Sequence, residues 1–218
     1  MNMLLREPVT DAAIGVAVAD RPEDLSAIHH HGCAAVIWRR EPLPDFQSWI
    51  DALPRQQLPR ARVILRPEHV HDAVEHIFAT ADIPDCKERT MLVDDTAAQA
   101  SIFARLLGAP FLRLRFDVIT DNACRKFHID SVKARLVCTY RGTGTQYCNA
   151  TGGEEPQQVF TVPTASPIVL RGTLWPAESK SGVLHRSPPI EGTGETRLLL
   201  VLDPIFDPEG QPDRKHMH

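Results

Sequence analysis

The chain has 218 residues, of which 43% are hydrophobic, 24 are basic and 28 are acidic. This length suits one large domain with a substantial hydrophobic core. The net charge of −4 lacks the basic excess on which phosphate-backbone binding relies, so general nucleic-acid binding is not expected. No apolar run approaches the roughly 18 to 20 residues that cross a bilayer, and MNMLLREPVTD has acidic residues and a proline where a signal sequence would have an apolar core. We therefore expect a cytoplasmic protein with no membrane partner.

The first half of the chain has the periodicity of amphipathic helices. Residues 46–53 place apolar side chains at positions i, i+3, i+4 and i+7, which predicts a helix that Pro54 ends. Further helices are predicted over 70–79 and 96–107. Residues 1–108 are therefore expected to form an N-terminal helical portion.

The second half has the pattern of a β protein. No proline lies between Pro110 and Pro156, and because proline cannot donate to a sheet ladder, this gap favours uninterrupted strands. Strands are predicted over 111–120, 132–141, 145–149, 159–162, 168–174, 182–185 and 197–202. Many short strands separated by glycine and proline turns indicate a sandwich, barrel or jelly roll. We expect residues 109–206 to form the β core and residues 207–218 a polar tail.

One H-x-D motif stands directly before the second predicted strand. A period of two places His128 and Asp130 on the same side as Tyr140, and this side is predicted to face the barrel interior while Arg135 faces water. An inward carboxylate is costly unless a cation accompanies it. A metal ion would supply that cation. The alternative is a turn in which Asp130 caps the backbone and His128 lies on the surface.

A second histidine and an arginine complete a recognisable order. His185 lies 57 residues after His128, and Arg197 follows His185 by 12 residues at the start of an apolar strand. This order resembles the double-stranded β-helix oxygenases that depend on Fe(II) and 2-oxoglutarate. The resemblance implies that His128, Asp130 and His185 bind iron, and that Arg197 pairs with the far carboxylate of 2-oxoglutarate. The superfamily often has Ser or Thr two residues after that basic residue, where this chain has Leu199.

The proposed chemistry suits these residue types. Two imidazoles and one carboxylate on one face hold a divalent iron and leave positions for a co-substrate and oxygen. A guanidinium offers the planar fork that a carboxylate prefers. Tyr140 is a further candidate to donate to the bound carboxylate, with a role in core packing as the alternative.

A closer resemblance covers most of the chain. The strings FHIDSVKARLVCTYRGTGTQYC, IVLRGTLWP and LHRSPPI, together with CAAVIWRR near the N-terminus, are similar to a bacterial family known only as a domain of unknown function. Genes of that family tend to lie near zinc-homeostasis genes. The resemblance supplies no substrate, but it implies that His128, Asp130 and His185 are the family's pattern and that the N-terminal helices buttress the barrel.

We therefore expect an α+β protein with a double-stranded β-helix, or jelly-roll, core and N-terminal helices packed against it. The expected function is Fe(II)/2-oxoglutarate-dependent oxidation of an unidentified substrate. Two alternatives stay open: a non-catalytic metal-binding protein that uses the same triad with zinc, and a β-sandwich interaction module whose histidines are incidental. The five cysteines form no C-x-x-C motif and are expected to be free thiols. Cys138 or Cys148 at the metal would favour zinc, because thiolate is a softer ligand.

Overall fold

The computed structural model describes residues 12–149, 156–176 and 182–209, and the secondary structure within them is mixed α+β, as predicted. The α-helices are α1 (Pro44–Ala52), α2 (Val70–Thr80) and α3 (Lys87–Leu107), and short 3-10 helices lie at Pro22–His29, Arg55–Gln57 and Pro67–His69. The strands are β1 (Val16–Ala19), β2 (Ala35–Trp38), β3 (Ala61–Leu65), β4 (Phe111–Ile119), β5 (Ala134–Arg141), β6 (Gln146–Asn149), β7 (Phe160–Thr161), β8 (Ile168–Arg171), β9 (Val183–Arg186) and β10 (Arg197–Ile205). Of the predicted tail, residues 210–218 lie outside the described residues.

The helices agree with the sequence pattern except at the start of α3. This helix begins at Lys87, nine residues before the predicted start, because only Leu92 and Val93 are buried among its first nine residues and they do not show an apolar period. It ends at Gly108, whose φ of 63° is the left-handed conformation that glycine adopts without a Cβ clash. None of the described helices is long and apolar enough to cross a bilayer.

The larger of two sheets has seven strands in the order β1-β2-β8-β5-β10-β4-β3. Strand β10 lies between β5 and β4 and is antiparallel to both. Three of its strands, β1, β2 and β3, come from the N-terminal part of the chain, where only helices were predicted. Each of them has four or five residues, and a short apolar run of this length is not distinguished from a buried helix segment by its period.

The smaller sheet has three strands in the order β7-β6-β9 and packs on one face of the larger sheet. Val137 of β5 and Val201 of β10 share a buried cluster with Tyr147 of β6 and Val183 of β9. The opposite face of the larger sheet packs on the helices, where its leucines and valines form a second cluster with side chains such as Phe103 of α3. Residues of β5 and β10 therefore alternate between two apolar layers, whereas β4 contributes mainly to the layer against the helices.

The orientation of β5 differs from the prediction. Leu136, Cys138 and Tyr140 face the helices, whereas Arg135 and Val137 face the smaller sheet. The predicted orientation was wrong because residues 131–133 form bends rather than strand, so the period of two does not continue from the H-x-D motif into β5.

Candidate metal centre

The structure brings His128, Asp130 and His185 together at the edge of the smaller sheet. His128 and His185 form an antiparallel bridge in which each backbone N–H donates to the other residue's carbonyl at 3.0 Å. Their ring centroids are 4.5 Å apart. One ligand atom from each of the three residues lies within 4.8 Å of the other two. This geometry allows all three side chains to contact one ion.

The ring of His128 is held with Nε2 toward the other two residues. Its Nδ1 lies 2.8 Å from the carbonyl oxygen of Lys126, and because a carbonyl only accepts, Nδ1 is the nitrogen that carries hydrogen. The lone pair of Nε2 is then available on the side of Asp130, whose Oδ1 is 3.6 Å away. A hydrogen bond of this kind fixes the tautomer of metal-binding histidines. Without a metal, Asp130 raises the pKa of His128, so protons compete for Nε2.

The carboxylate of Asp130 is largely buried and ionised. Burial raises its pKa, but His128, His185 and Arg135 together lower the pKa of Asp130 well below its usual range. Its Oδ2 lies 3.0 Å from Nε2 of His185 but has no hydrogen-bond partner among the described residues. Because a buried carboxylate oxygen without a partner is costly, this atom fits a bound cation, and the two nitrogens and one oxygen are a donor set that iron accepts.

Arg135 forms an ion pair with the other oxygen of Asp130, Oδ1. Its Nη1 is 2.5 Å from Oδ1 of Asp130, while Nε and Nη2 donate to the two oxygens of Asp203 at 2.6 and 3.0 Å. Asp203 is only 2% exposed. The fork of Arg135 therefore fixes the Asp130 carboxylate and leaves Oδ2 directed to the histidines. One sequence signal could have identified Arg135 as part of the site. Asp203 ends the apolar segment RLLLVLD, and a buried carboxylate there requires a cationic partner.

Arg197 is fully buried with part of its guanidinium unused. Its Nε donates to the carbonyl of Thr143 at 2.6 Å and Nη1 donates to Oγ of Ser187 at 3.3 Å. Its Nη2 is buried without a hydrogen-bond partner in the described part of the chain. Burial lowers the pKa of Arg197 to about 10. Leu199 lies in the apolar cluster between the sheets, so the hydroxyl beside this guanidinium comes from Ser187 instead.

The structure does not bring Tyr140 to the triad. Its hydroxyl donates to Oδ2 of Asp95 at 2.6 Å and accepts from Nε2 of Gln99 at 2.9 Å. Asp95 also pairs with Arg40. Because these contacts connect β5 to α3, Tyr140 lies in a polar network beneath the helices.

The two cysteines named with the site also lie away from it. Cys138 faces the helices, with Sγ 3.8 Å from Nη2 of Arg40. Tyr147 is paired with His185 across β6 and β9, so Cys148, the next residue of β6, projects to the opposite side of the sheet from His185. Within the described ranges, the group of residues able to hold a metal contains no cysteine. Tyr147, which the sequence pattern did not single out, shares a face with His185 because directly paired residues project to the same side of a sheet.

The buried thiol of Cys138 gives an expected pH dependence. Burial raises the pKa of Cys138 from 9.0 to about 12, so the folded chain holds this proton more tightly than the unfolded chain. The stabilisation is complete below about pH 9 and is lost as the pH rises toward 12. We expect the unfolding free energy, measured by urea titration, to fall more steeply over this range in the wild type than in Cys138→Ala. Cys124→Ala, which removes an exposed thiol, should follow the wild type, and parallel wild-type and Cys138→Ala curves would contradict the expectation.

Two plant dioxygenases are similar to the chain in structure. Dioxygenase for auxin oxidation 1 from Arabidopsis thaliana, in a complex with 2-oxoglutarate, has a TM-score of 0.55 at 9% identity over 92% of this chain and 95% of that chain. The dioxygenase for auxin oxidation from rice has a TM-score of 0.50 at 14% identity over 88% of this chain and 83% of that chain. At these identities the likeness is one of fold.

The sequence comparisons give a family but no activity. No curated protein matches the chain. The profile of one family, described as protein of unknown function (DUF1826), matches residues 19–203, which is most of the chain. The chain therefore belongs to this family, as the strings FHIDSVKARLVCTYRGTGTQYC and CAAVIWRR indicated.

Proposed function

We propose that the protein is an Fe(II)/2-oxoglutarate-dependent oxygenase that acts on an unidentified substrate. The observation that carries this proposal is the buried Oδ2 of Asp130, which faces Nε2 of His185 and has no hydrogen-bond partner among the residues described. Two imidazoles and one carboxylate are the ligands typical of non-haem Fe(II) oxygenases. The group contains no cysteine among the described residues, so the thiolate that would have favoured zinc is absent from it. When bound, iron and 2-oxoglutarate supply the oxidising chemistry.

We assign the two sheets to a double-stranded β-helix, or jelly roll, formed by residues 109–206. The chain alternates between the sheets from β4 onward: β4, β5, β8 and β10 lie in the larger sheet, whereas the His128 bridge, β6, β7 and β9 belong with the smaller one. Such alternation supports a jelly roll, in which two sheets exchange strands along the chain. The shared apolar cluster supports the packing of the N-terminal helices against this core.

Arg197 is the proposed anchor for the far carboxylate of 2-oxoglutarate. Its buried Nη2 has a free hydrogen-bonding direction, and Ser187 and Thr143 fix the rest of the guanidinium. Ser187 follows His185 by two residues, so the anchor and one metal ligand are held by the same short segment. The apolar side chains of Leu199 and Val201 exclude water from the space between the sheets.

Anaerobic titration with Fe(II) and then 2-oxoglutarate tests the function directly. We expect a weak visible charge-transfer band from the iron chelate in the wild-type chain. Arg197→Gln should still bind Fe(II) but require about tenfold or more 2-oxoglutarate for the same band, because charge-assisted hydrogen bonds of roughly 1.5 to 3 kcal/mol are lost.

Two further variants make this titration decisive. Arg197→Lys keeps the buried charge but lacks the fork, so it should fold and show an intermediate affinity for 2-oxoglutarate. Arg105→Gln removes an exposed charge from α3 and should behave as the wild type. Iron binding without any band would refute the use of 2-oxoglutarate and leave a metal-binding protein.

A further inference from the structure

The face of the larger sheet that carries Arg135 extends beyond the smaller sheet. The cluster between the sheets includes side chains of β2, β8, β5 and β10, and from β4 only Ile119 packs against it. At the β3–β4 end of this face lie Arg62, Arg113 and Arg115, because the residues that alternate with them face the helices. Arg62 is directly opposite Arg115 in the pairing of β3 with β4. This end of the face is partly open to solvent.

One of these arginines is connected to the triad through two other side chains. Arg113 is directly opposite Asp203 in the pairing of β4 with β10, and Asp203 holds Arg135, which in turn holds Asp130. Neighbouring strands are about 4.8 Å apart, so Arg113 lies about two strand spacings, roughly 10 Å, from Arg135 across the sheet. A molecule of moderate size could contact both the triad and this end of the face.

Several arginine side chains lie close together in this region. Four guanidinium groups, those of Arg62, Arg113, Arg115 and Arg135, share it with the carboxylates of Asp117, Asp130 and Asp203. A divalent ion on the triad would add two positive charges beside these guanidinium groups, in a chain whose net charge is −4. Burial and the other three arginines lower the pKa of Arg113, which shows that the cations repel one another.

Arg115 also has an unused donor. It pairs with Asp117 at 3.4 Å through Nη1, but its Nε is buried without a hydrogen-bond partner within the described ranges. Buried donors of this kind are costly unless a ligand or an ordered water accepts from them. The clustered guanidinium groups and the open donor of Arg115 both point to an acceptor with negative charge.

We propose that Arg62, Arg113 and Arg115 bind an anionic group, a phosphate or a carboxylate, of the primary substrate. This inference rests on the proposed function for the role of the bound molecule and specifies the chemical class of that substrate. A substrate anchored on β3 and β4 through its anionic group would extend along the sheet face toward the triad. Neutral molecules of the same size would lack this anchor.

Binding of inorganic phosphate and of acetate to the zinc-loaded full chain, with 2-oxoglutarate added, tests the proposal. We expect saturable binding of one probe, followed by calorimetry, and the tighter probe identifies the group. Arg115→Gln should weaken that binding about tenfold, the effect of losing one charge-assisted hydrogen bond. Arg62→Gln should weaken it less and, because Arg62 is exposed, should leave the fold intact. Arg105→Gln removes the same charge from the helix side of the sheet and should have no effect.

Two results would overturn the proposal outright: no saturable binding of either probe, or equal probe affinities in Arg115→Gln and Arg105→Gln. A third would also overturn it: a loss of probe binding in Arg197→Lys alone, which would place the anion at the co-substrate anchor. The experiments distinguish a wrong anion site from a wrong proposed function. An iron chelate band without discrimination among the arginine variants would refute only the anionic substrate. Discrimination without the band would keep the anion site and refute the oxygenase.

Discussion

The Asp130→Asn variant is expected to bind Fe(II) at least about a hundredfold more weakly than the wild-type chain. Loss of residues that only orient metal ligands costs roughly 10- to 100-fold in affinity, so loss of a charged ligand should cost no less. The amide cannot neutralise the ion, and because Arg135 donates to the Oδ1 position, the amide oxygen stays there and the amide nitrogen is directed to His185. Anaerobic Fe(II) titration and metal analysis after dialysis measure the effect.

Matched controls separate ligand loss from a general charge effect. Asp121→Asn removes an exposed carboxylate close in sequence and should bind iron as the wild type does. His128→Ala should lose the metal as Asp130→Asn does, whereas His76→Ala, on the exposed side of α2, should retain it. Metal-free thermal unfolding of each variant checks that the fold persists. Unchanged iron affinity in Asp130→Asn or His128→Ala would show that the triad is not the metal site.

Local patterns predicted the elements of the β core well. The strands at 111–120 and 197–202 have strict alternation or continuous apolar character and appear as β4 and β10 with small changes of boundary. Strand β2 was not predicted because its stability comes from pairing with a distant segment, β8, more than 130 residues later, and β1 in turn pairs with β2. Such pairings leave almost no trace in a local period.

The triad illustrates what could be predicted of the site. H-x-D, a distal histidine and a following arginine are recognisable by order alone, and His128, Asp130 and His185 do lie together in the structure. The position of Tyr140 could not be predicted, because the bends after Asp130 reverse the face on which β5 begins. For the same reason Arg135 was predicted to face water, whereas in the structure it pairs with Asp130 of the triad.

Arg135→Met is expected to destabilise the metal-free chain by about 3 to 5 kcal/mol, because it leaves two buried carboxylates without their cation. The side chain of Arg135 is 19% exposed, and those of its partners Asp130 and Asp203 are 13% and 3% exposed. As a comparison, Arg39→Met breaks an exposed ion pair with Asp20 and should cost less than about 1 kcal/mol. Urea unfolding at pH 7 measures both, and equal small losses would contradict a central role for Arg135.

The double variant Arg135→Met/Asp203→Leu separates the contribution of Arg135 to stability from its contribution to the metal site. Replacing a buried ion pair by apolar side chains of similar volume is often neutral or stabilising, so the double variant should recover part of the lost unfolding free energy, while Asp130 still lacks its cation. It removes one positive and one negative charge, so the net charge near the triad is unchanged. Oδ1 of Asp130 nevertheless loses its partner at 2.5 Å, and the freed carboxylate should bind Fe(II) about tenfold or more weakly. Wild-type iron affinity in the refolded double variant would show that Arg135 stabilises the sheet but does not orient Asp130.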